Sequence, residues 1–458
     1  MEVSRHFIRL GQRRVHYRRC GNGPALLMVH QSPRSSAEYE PLMRTWGTHF
    51  TCIAPDTPGF GQSDPLPDPD ASIDDFADAL AELIDALGIG PVAAYGFHSG
   101  GIILVTALKR HPDKFRALAV GGYAIWTAEE MALFGEHYLP PFLPSAYGEH
   151  LTWLWNRMLE QSWFFPWFDV RSEARLSVAH ADVARVNAAV MEMLDAGNAY
   201  RAGYGAVLRA PRDIPLVDAV TPPVLITAYD GDPLQAHIDR LGGMPKGWEA
   251  RKVATPAEHQ AASLAFLLPH AAGDAPPLVE AADGGFVRIE TPSFTGLLHW
   301  RGQRGGPLHL VAPGSEADLT STLGVAGKWL DLPGQGLADP WPGDPPTEWA
   351  AWQAVIEAAA TALDATQVVL PTLPAGDPDR LFPDLTPDRF GSNLASAWAI
   401  VRARHLFDPW YEVGPATARA FTPDEVDPAA LALEHRALLR ATAARAYLTA
   451  LRSSQGED

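Results

Sequence analysis

Cysteine is nearly missing from this sequence: Cys20 and Cys52 are the only two in 458 residues. Two thiols cannot build the disulfide framework of a small secreted scaffold, and the chain suits a reducing compartment. Positive charge is also scarce. Lysine and arginine number 36 against 54 aspartates and glutamates, a formal net charge of −18. Nucleic acids and anionic membranes are polyanions, so neither is expected as a partner. No apolar run approaches the length that spans a bilayer. The opening stretch "MEVSRHFIRLGQRR" lacks the apolar core of a secretory leader, and a cytoplasmic location is expected. A Walker loop, a G-x-G-x-x-G after the first strand and metal-type cysteine spacing are all missing. No cofactor and no metal are therefore expected.

What is present has a globular profile, 47% hydrophobic and 20% charged, with length for two cores. "RRVHYRRC" alternates apolar and polar residues, whereas "PALLMVH" (24–30) and "FTCIAP" (50–55) are continuous apolar runs. Continuous runs suit strands buried on both faces of a parallel sheet. Ser72 reads as an N-cap, with Ile73, Phe76, Leu80, Leu83 and Leu87 at helical spacing behind it. "PVAAYG" (91–96) is another buried strand, followed at once by the helical "GIILVTALKRH" (101–111) and the strand "RALAVGGY". Alternating strands and helices predict an α/β fold with a mostly parallel sheet.

The character changes over 124–210, where aromatics and prolines crowd "LPPFLPSAYGEHLTWLWNRMLEQSWFFPWFDV" before an amphipathic stretch. Strand–helix alternation resumes in 211–272, so 124–210 reads as a helical cap inserted into a core of 1–123 and 211–272. The small, acidic, proline-containing 273–285 reads as a linker. Beyond it, 286–458 begins again. "FVRI" (286–289) matches "FIRL" (7–10), and "DLPGQGLADP" (331–340) matches "DTPGFGQSDP" (56–65). "FGSNLASAWAIVRARHLFDPWYEV" (390–413) aligns without gaps on "YGEHLTWLWNRMLEQSWFFPWFDV" (147–170), sharing G, L, W, F, P, W and V at one offset. Three matches in one order predict a diverged internal duplication. The second copy lacks the strand–turn–helix around residue 98 and the strands of 222–267. It is expected to be non-catalytic and to dock on the first copy, standing in for the partner subunit of an ancestral homodimer.

Several pieces of the first 272 residues, in their order, resemble the α/β-hydrolase superfamily. They are the strand before "HQSP" (30–33), the loop "DTPGFGQSDP", the strand, turn and helix around "YGFHSGG" (95–101), and "HPDKFRALAV" (111–120). A late "DGDPL" (230–234) and a histidine in "AEHQ" (257–260) complete the set. The resemblance implies an α/β-hydrolase fold with a helical cap, and a strained turn that carries the nucleophile at its apex. Residues two before and two after the apex must be small. Centred on His98, those places hold Gly96 and Gly100; centred on Ser99, the first would hold Phe97, whose ring would collide with the turn. Sterics favour His98 at the apex, with a slipped turn and an ordinary Ser99 nucleophile as the alternative.

By the same resemblance Asp232, ahead of Asp230, takes the place of the carboxylate. His259 takes that of the general base, in the loop after the last strand. The oxyanion hole would use the backbone N–H groups of Ser99 and Ser32. Arg34 is either a partner for a substrate carboxylate or phosphate, or a solvated surface group. The loop "DTPGFGQSD" reads as structural, because the second copy keeps it while losing the turn. Cap aromatics either wall an apolar pocket or pack the cap; Trp153, and with it the polar His150, are the substrate-binding candidates.

These readings leave three functions open for a small-molecule substrate or ligand. The first is hydrolysis of an ester, amide or C–C bond in a small, mostly apolar carbonyl compound. The second is lyase, isomerase or decarboxylase chemistry on the same scaffold. The third is an inactive small-molecule-binding protein, against which Asp232 and His259 both weigh.

Overall fold

Alternation along the strands decides which side chains meet on each face of the first sheet. In the computed structural model, which describes residues 1–456 apart from 136, 178, 212 and 322–326, the chain forms two compact units. The first holds Met1–Phe142 and Arg157–Glu280, the second Leu143–Asn156 and Ala281–Asp458.

The strands of the first unit are β1 (Ser4–Leu10), β2 (Arg13–Cys20), β3 (Ala25–Val29), β4 (Thr51–Pro55), β5 (Val92–Phe97), β6 (Phe115–Gly121), β7 (Val224–Tyr229) and β8 (Trp248–Val253). They pair in the order β1-β2-β4-β3-β5-β6-β7-β8. Strand β2 is antiparallel to β1 and β4, and every pairing from β4 through β3 to β8 is parallel. This is the expected α/β-hydrolase architecture. Leu27, Val29, Ile53, Ala94 and Leu118 point into one core with the helices Ile73–Leu87 and Ser99–Arg110. Leu26, Met28, Cys52, Ala54, Ala93 and Ala117 point into the other, with Trp46, Phe50 and Leu267. A strand covered on both faces has no polar side, which is why these segments read as unbroken apolar runs.

The helix Ile73–Leu87 starts where Ser72 and Asp75 form a reciprocal capping box and stops at Gly88, whose φ is +64°. Its apolar stripe is buried, at about 1.5–3 kcal/mol for each fully buried Leu, Ile or Phe. The expected linker is not loose at its first end. Tyr17 donates to the Val279 carbonyl at 2.5 Å, Arg19 to the Pro276 carbonyl at 2.6 Å, and His6 Nδ1 lies 2.6 Å from Glu280 Oε1. Regular structure resumes at Gly284, one residue before the end of the expected linker.

In the second unit the strands are β9 (Gly284–Glu290), β10 (Thr295–Gly302), β11 (Pro307–Leu310), β12 (Lys328–Leu330) and β13 (Gln367–Val369), in the order β13-β11-β12-β10-β9. Strand β10 is antiparallel to β9 and β12, and β11 is parallel to β12 and β13. Order and direction are those of β1, β2, β4, β3 and β5. After β4 and after its counterpart β12 stands an aspartate held in the same way. Asp56 is 2.8 Å from His16 Nδ1 and accepts the Ser36 and Gln62 N–H groups at 2.8 Å. Asp331 is 2.8 Å from His299 Nδ1 and accepts those of Ala317 and Leu337 at 2.7 and 3.1 Å. Among the described residues no strand follows β13. The segment 124–210, expected as one cap, divides: 143–156 belongs to the second unit and the remainder to the first.

Candidate active site

Among the described residues of the first unit, the turn after β5 holds the only non-glycine residue with positive φ. His98 has φ +48° and ψ −113°, and the helix Ser99–Arg110 begins at the next residue. A non-glycine residue in such a conformation costs on the order of 1–3 kcal/mol, held by its surroundings. Those surroundings need glycine on either side. A Cβ on Gly96 would lie 2.8 Å from the Gly100 carbonyl carbon, and one on Gly100 would lie 1.9 Å from the Val29 carbonyl oxygen. His98 therefore stands at the apex, with Ser99 as the first helical residue.

His98 Nε2 lies 3.1 Å from Asp232 Oδ1, in the turn that follows β7. The same oxygen accepts the Leu234 N–H at 2.9 Å. The Asp232 side chain is wholly buried and that of His98 is 25% exposed. Burial alone would raise the Asp232 pKa; the His98 charge and hydrogen bond, with the Leu234 N–H, outweigh it and hold the group below the usual carboxylate range. An ionised carboxylate only accepts, so Nε2 carries its proton toward Asp232 and Nδ1 is the basic nitrogen of neutral His98. The imidazole is stacked on Phe97, ring centroids 4.1 Å apart.

His259 is placed differently from its expected loop. It lies in the first turn of the helix Pro256–Leu267 and is buried. Its Nε2 is 2.8 Å from the Tyr95 hydroxyl and its Nδ1 2.5 Å from the Thr227 hydroxyl. One hydroxyl accepts and the other donates, so a neutral ring is satisfied at both nitrogens. Burial, partly offset by Asp232, lowers its pKa to about 4. The hydrogen bond that the resemblance assigns to His259 and the carboxylate is made here by His98.

Ser99 is buried as well. Its Oγ accepts the Ser32 N–H at 2.5 Å and donates to Ser32 Oγ at 3.2 Å. The Ser32 N–H is thus engaged by Ser99, whereas the Ser99 N–H is in the first turn of a helix, where no intrahelical acceptor exists. Arg34 donates from Nε to Glu192, whose other oxygen accepts the Ser35 N–H at 3.1 Å and the Ser35 hydroxyl at 2.7 Å. This arginine is paired within the protein, even as it borders the cavity.

That cavity, of about 480 Å³, opens beside His98. Ser32, Arg34, His98, Ser99 and Asp232 are on its wall; His259 is not among the described residues that line it. Phe97, Trp126, Phe134, Tyr138, Phe165, Tyr204 and Tyr229 bring aromatic rings to the wall, beside polar groups such as Gln31, Gln161, His180 and Arg185. His150 and Trp153 are not brought to it. Both belong to the second unit, where His150 Nδ1 accepts the Ser145 N–H at 3.1 Å and its ring meets Trp398. Of the aromatics crowded into 139–170, only Phe165 is on the wall among the described residues. Trp126, Tyr138 and Tyr204 were missed, and nothing in their spacing marks them as lining a cavity.

Residues 24–157 match a family described as alpha/beta hydrolase fold. Haloalkane dehalogenase 2 of Mycobacterium bovis is 31% identical over 120 residues, 26% of this chain and 42% of that protein. The 2-(acetamidomethylene)succinate hydrolase of Mesorhizobium japonicum is 36% identical over 120 residues, 25% of this chain and 43% of that protein. The chain thus spans less than half the length of these curated relatives. A thermophilic esterase from Thermogutta terrifontis superposes on 59% of this chain and 100% of its own, with a TM-score of 0.46 and 16% identity. Among the described residues no helix is long and apolar enough to cross a membrane. The matched residues and the sheet they help to build give the first unit an α/β-hydrolase fold.

Proposed function

We propose that the protein is a hydrolase of small, mostly apolar carbonyl compounds, with His98 acting as general base in the place of the usual nucleophile. The observation that carries this reading is the direct His98–Asp232 hydrogen bond at the apex of the strained turn, open to a cavity of mixed aromatic and polar lining. Relatives named as a dehalogenase and a succinate hydrolase support hydrolytic chemistry on small molecules.

In this reading Nδ1 of His98 takes a proton from a water molecule as its oxygen attacks the carbonyl carbon. The carbonyl electron pair moves to oxygen, where the Ser99 N–H meets the developing charge. Collapse of the tetrahedral species breaks the bond to the leaving group, which takes the proton back from the imidazolium. Asp232 stabilises that cation and fixes the ring. His259, neutral and held by Tyr95 and Thr227, supports β5 and β7 behind the site and takes no part in proton transfer.

The second unit is read as a shortened, non-catalytic repeat of the first. Its five-strand order and the paired Asp56 and Asp331 networks support this, as does the loss of the apex and of Asp232 and His259 counterparts.

The test is a panel of p-nitrophenyl esters and amides with His98→Ala and Ser99→Ala, alongside a fluorophosphonate probe. A general base contributes about 10²–10⁴-fold, so His98→Ala is expected to lose that much in kcat while Ser99→Ala keeps most of it. A fluorophosphonate adduct on Ser99 in the folded protein would instead make this an ordinary serine hydrolase.

A further inference from the structure

The repeat of 147–170 in 390–413 has a physical counterpart inside the second unit, which contains both Leu143–Asn156 and the later segment. Trp155 donates its indole N–H to the Arg389 carbonyl at 3.2 Å, and Trp398 donates its own to the Ala146 carbonyl at 3.4 Å. The alignment pairs Trp155 with Trp398 and Ala146 with Arg389. Each bond is the other with the two segments exchanged.

The glycines obey the same rule. A Cβ on Gly148 would come within 2.9 Å of the Trp398 ring, and one on Gly391 within 2.3 Å of the Trp155 ring. Both have positive φ, +85° and +66°. Within 146–155 and 389–398 the identical pairs besides the glycines, Leu151 with Leu394 and Trp155 with Trp398, are buried. A contact in which residue i meets j, and the copy of j meets the copy of i, is the mark of an isologous, two-fold interface. Two unrelated helices packed together have no reason to follow it.

We infer that this face is a homodimer contact made within a single polypeptide: the partner of 146–155 is its own repeat, 389–398, and not a second molecule. The departures from symmetry fit a pair that no longer has to match itself. Arg402 donates to the Ala146 carbonyl at 3.4 Å and sits 4.8 Å from the centre of the Tyr147 ring, while the aligned position in the first repeat is Leu159. His150 packs on Trp398 where the aligned residue is Asn393. The inference is independent of the reaction proposed for His98.

The test uses the full chain in sedimentation and hydrogen exchange. A monomer is expected over a wide concentration range. Trp398→Ala is expected to speed exchange of amides in 149–156 by about tenfold or more, and Trp155→Ala to do the same in 392–399, as for opening of one cooperative unit. Trp398→Phe and Trp155→Phe, which keep an aromatic ring but lose the indole N–H and part of the packing area, give the same reciprocal pattern more weakly if the alanine variants do not fold. Exchange that changes only around the substituted residue would overturn the reciprocal contact. A dimer that Trp398→Ala dissociates would overturn the single-chain pairing.

Discussion

His98 can act as a base only if its basic nitrogen is the one not bound to Asp232, so the carboxylate sets the tautomer. Asp232→Asn tests this with little change in shape. An amide can offer N–H to Nε2, which would place the ring proton on Nδ1 and remove the base. We expect kcat to fall by about 10³-fold or more with KM little altered, measured on the best ester of the panel. A loss under tenfold would mean that Asp232 does not control the ring. The apex was partly legible in the sequence because its rule is local: Gly96 and Gly100 favour centring the turn on His98 over Ser99. His259 was legible as a residue and not as a role. Its hydroxyl partners, Tyr95 and Thr227, come from β5 and β7, which folding alone brings to either side of it.

Whole elements behave in the same way. The strands of the first sheet and the helix Ile73–Leu87 announce themselves by periodicity and capping, signals carried within each segment. The aromatics of 124–210 announce burial without saying against what, so the division of that segment between two units was not readable. One contact shows what holds a cap helix to the first unit. Glu192, on the helix Val183–Ala196, is buried and takes the Arg34 guanidinium, the Ser35 N–H and the Ser35 hydroxyl onto one carboxylate. Glu192→Gln keeps an oxygen for Ser35 but turns a charged pair into a cation facing an amide. Breaking a hydrogen bond to a buried charge costs about 1–3 kcal/mol, and a measurable fall in melting temperature is expected. An unchanged melting temperature would show that the helix is held by its apolar contacts alone.

At the scale of the molecule, the repeated strand order was foreshadowed by three short matches, and the truncation by the missing motifs between 371 and 390. Acid stability is a property that only the folded whole reveals. His259 in the first unit and His435 in the second are both buried, and burial lowers each pKa to about 4 from an ordinary 6.5. The unfolded chain therefore binds protons between these two values that the folded chain refuses, and stability rises with pH across that interval. Above 6.5 the contribution is complete; it is lost as pH falls toward 4, by up to about 3 kcal/mol for each histidine. Asp232, with its lowered pKa, supplies stability that is lost only below the ordinary carboxylate range, so the two effects separate on the pH axis. Urea melts across the window are expected to show both units weakening well before the carboxylates titrate. His259→Gln, which offers polar atoms to Tyr95 and Thr227 without a titrating ring, is expected to flatten the pH dependence by about one proton, whatever its effect at neutral pH. A slope unchanged by that substitution would mean that His259 already carries its proton in the fold, which would return it to the proton chemistry of the site.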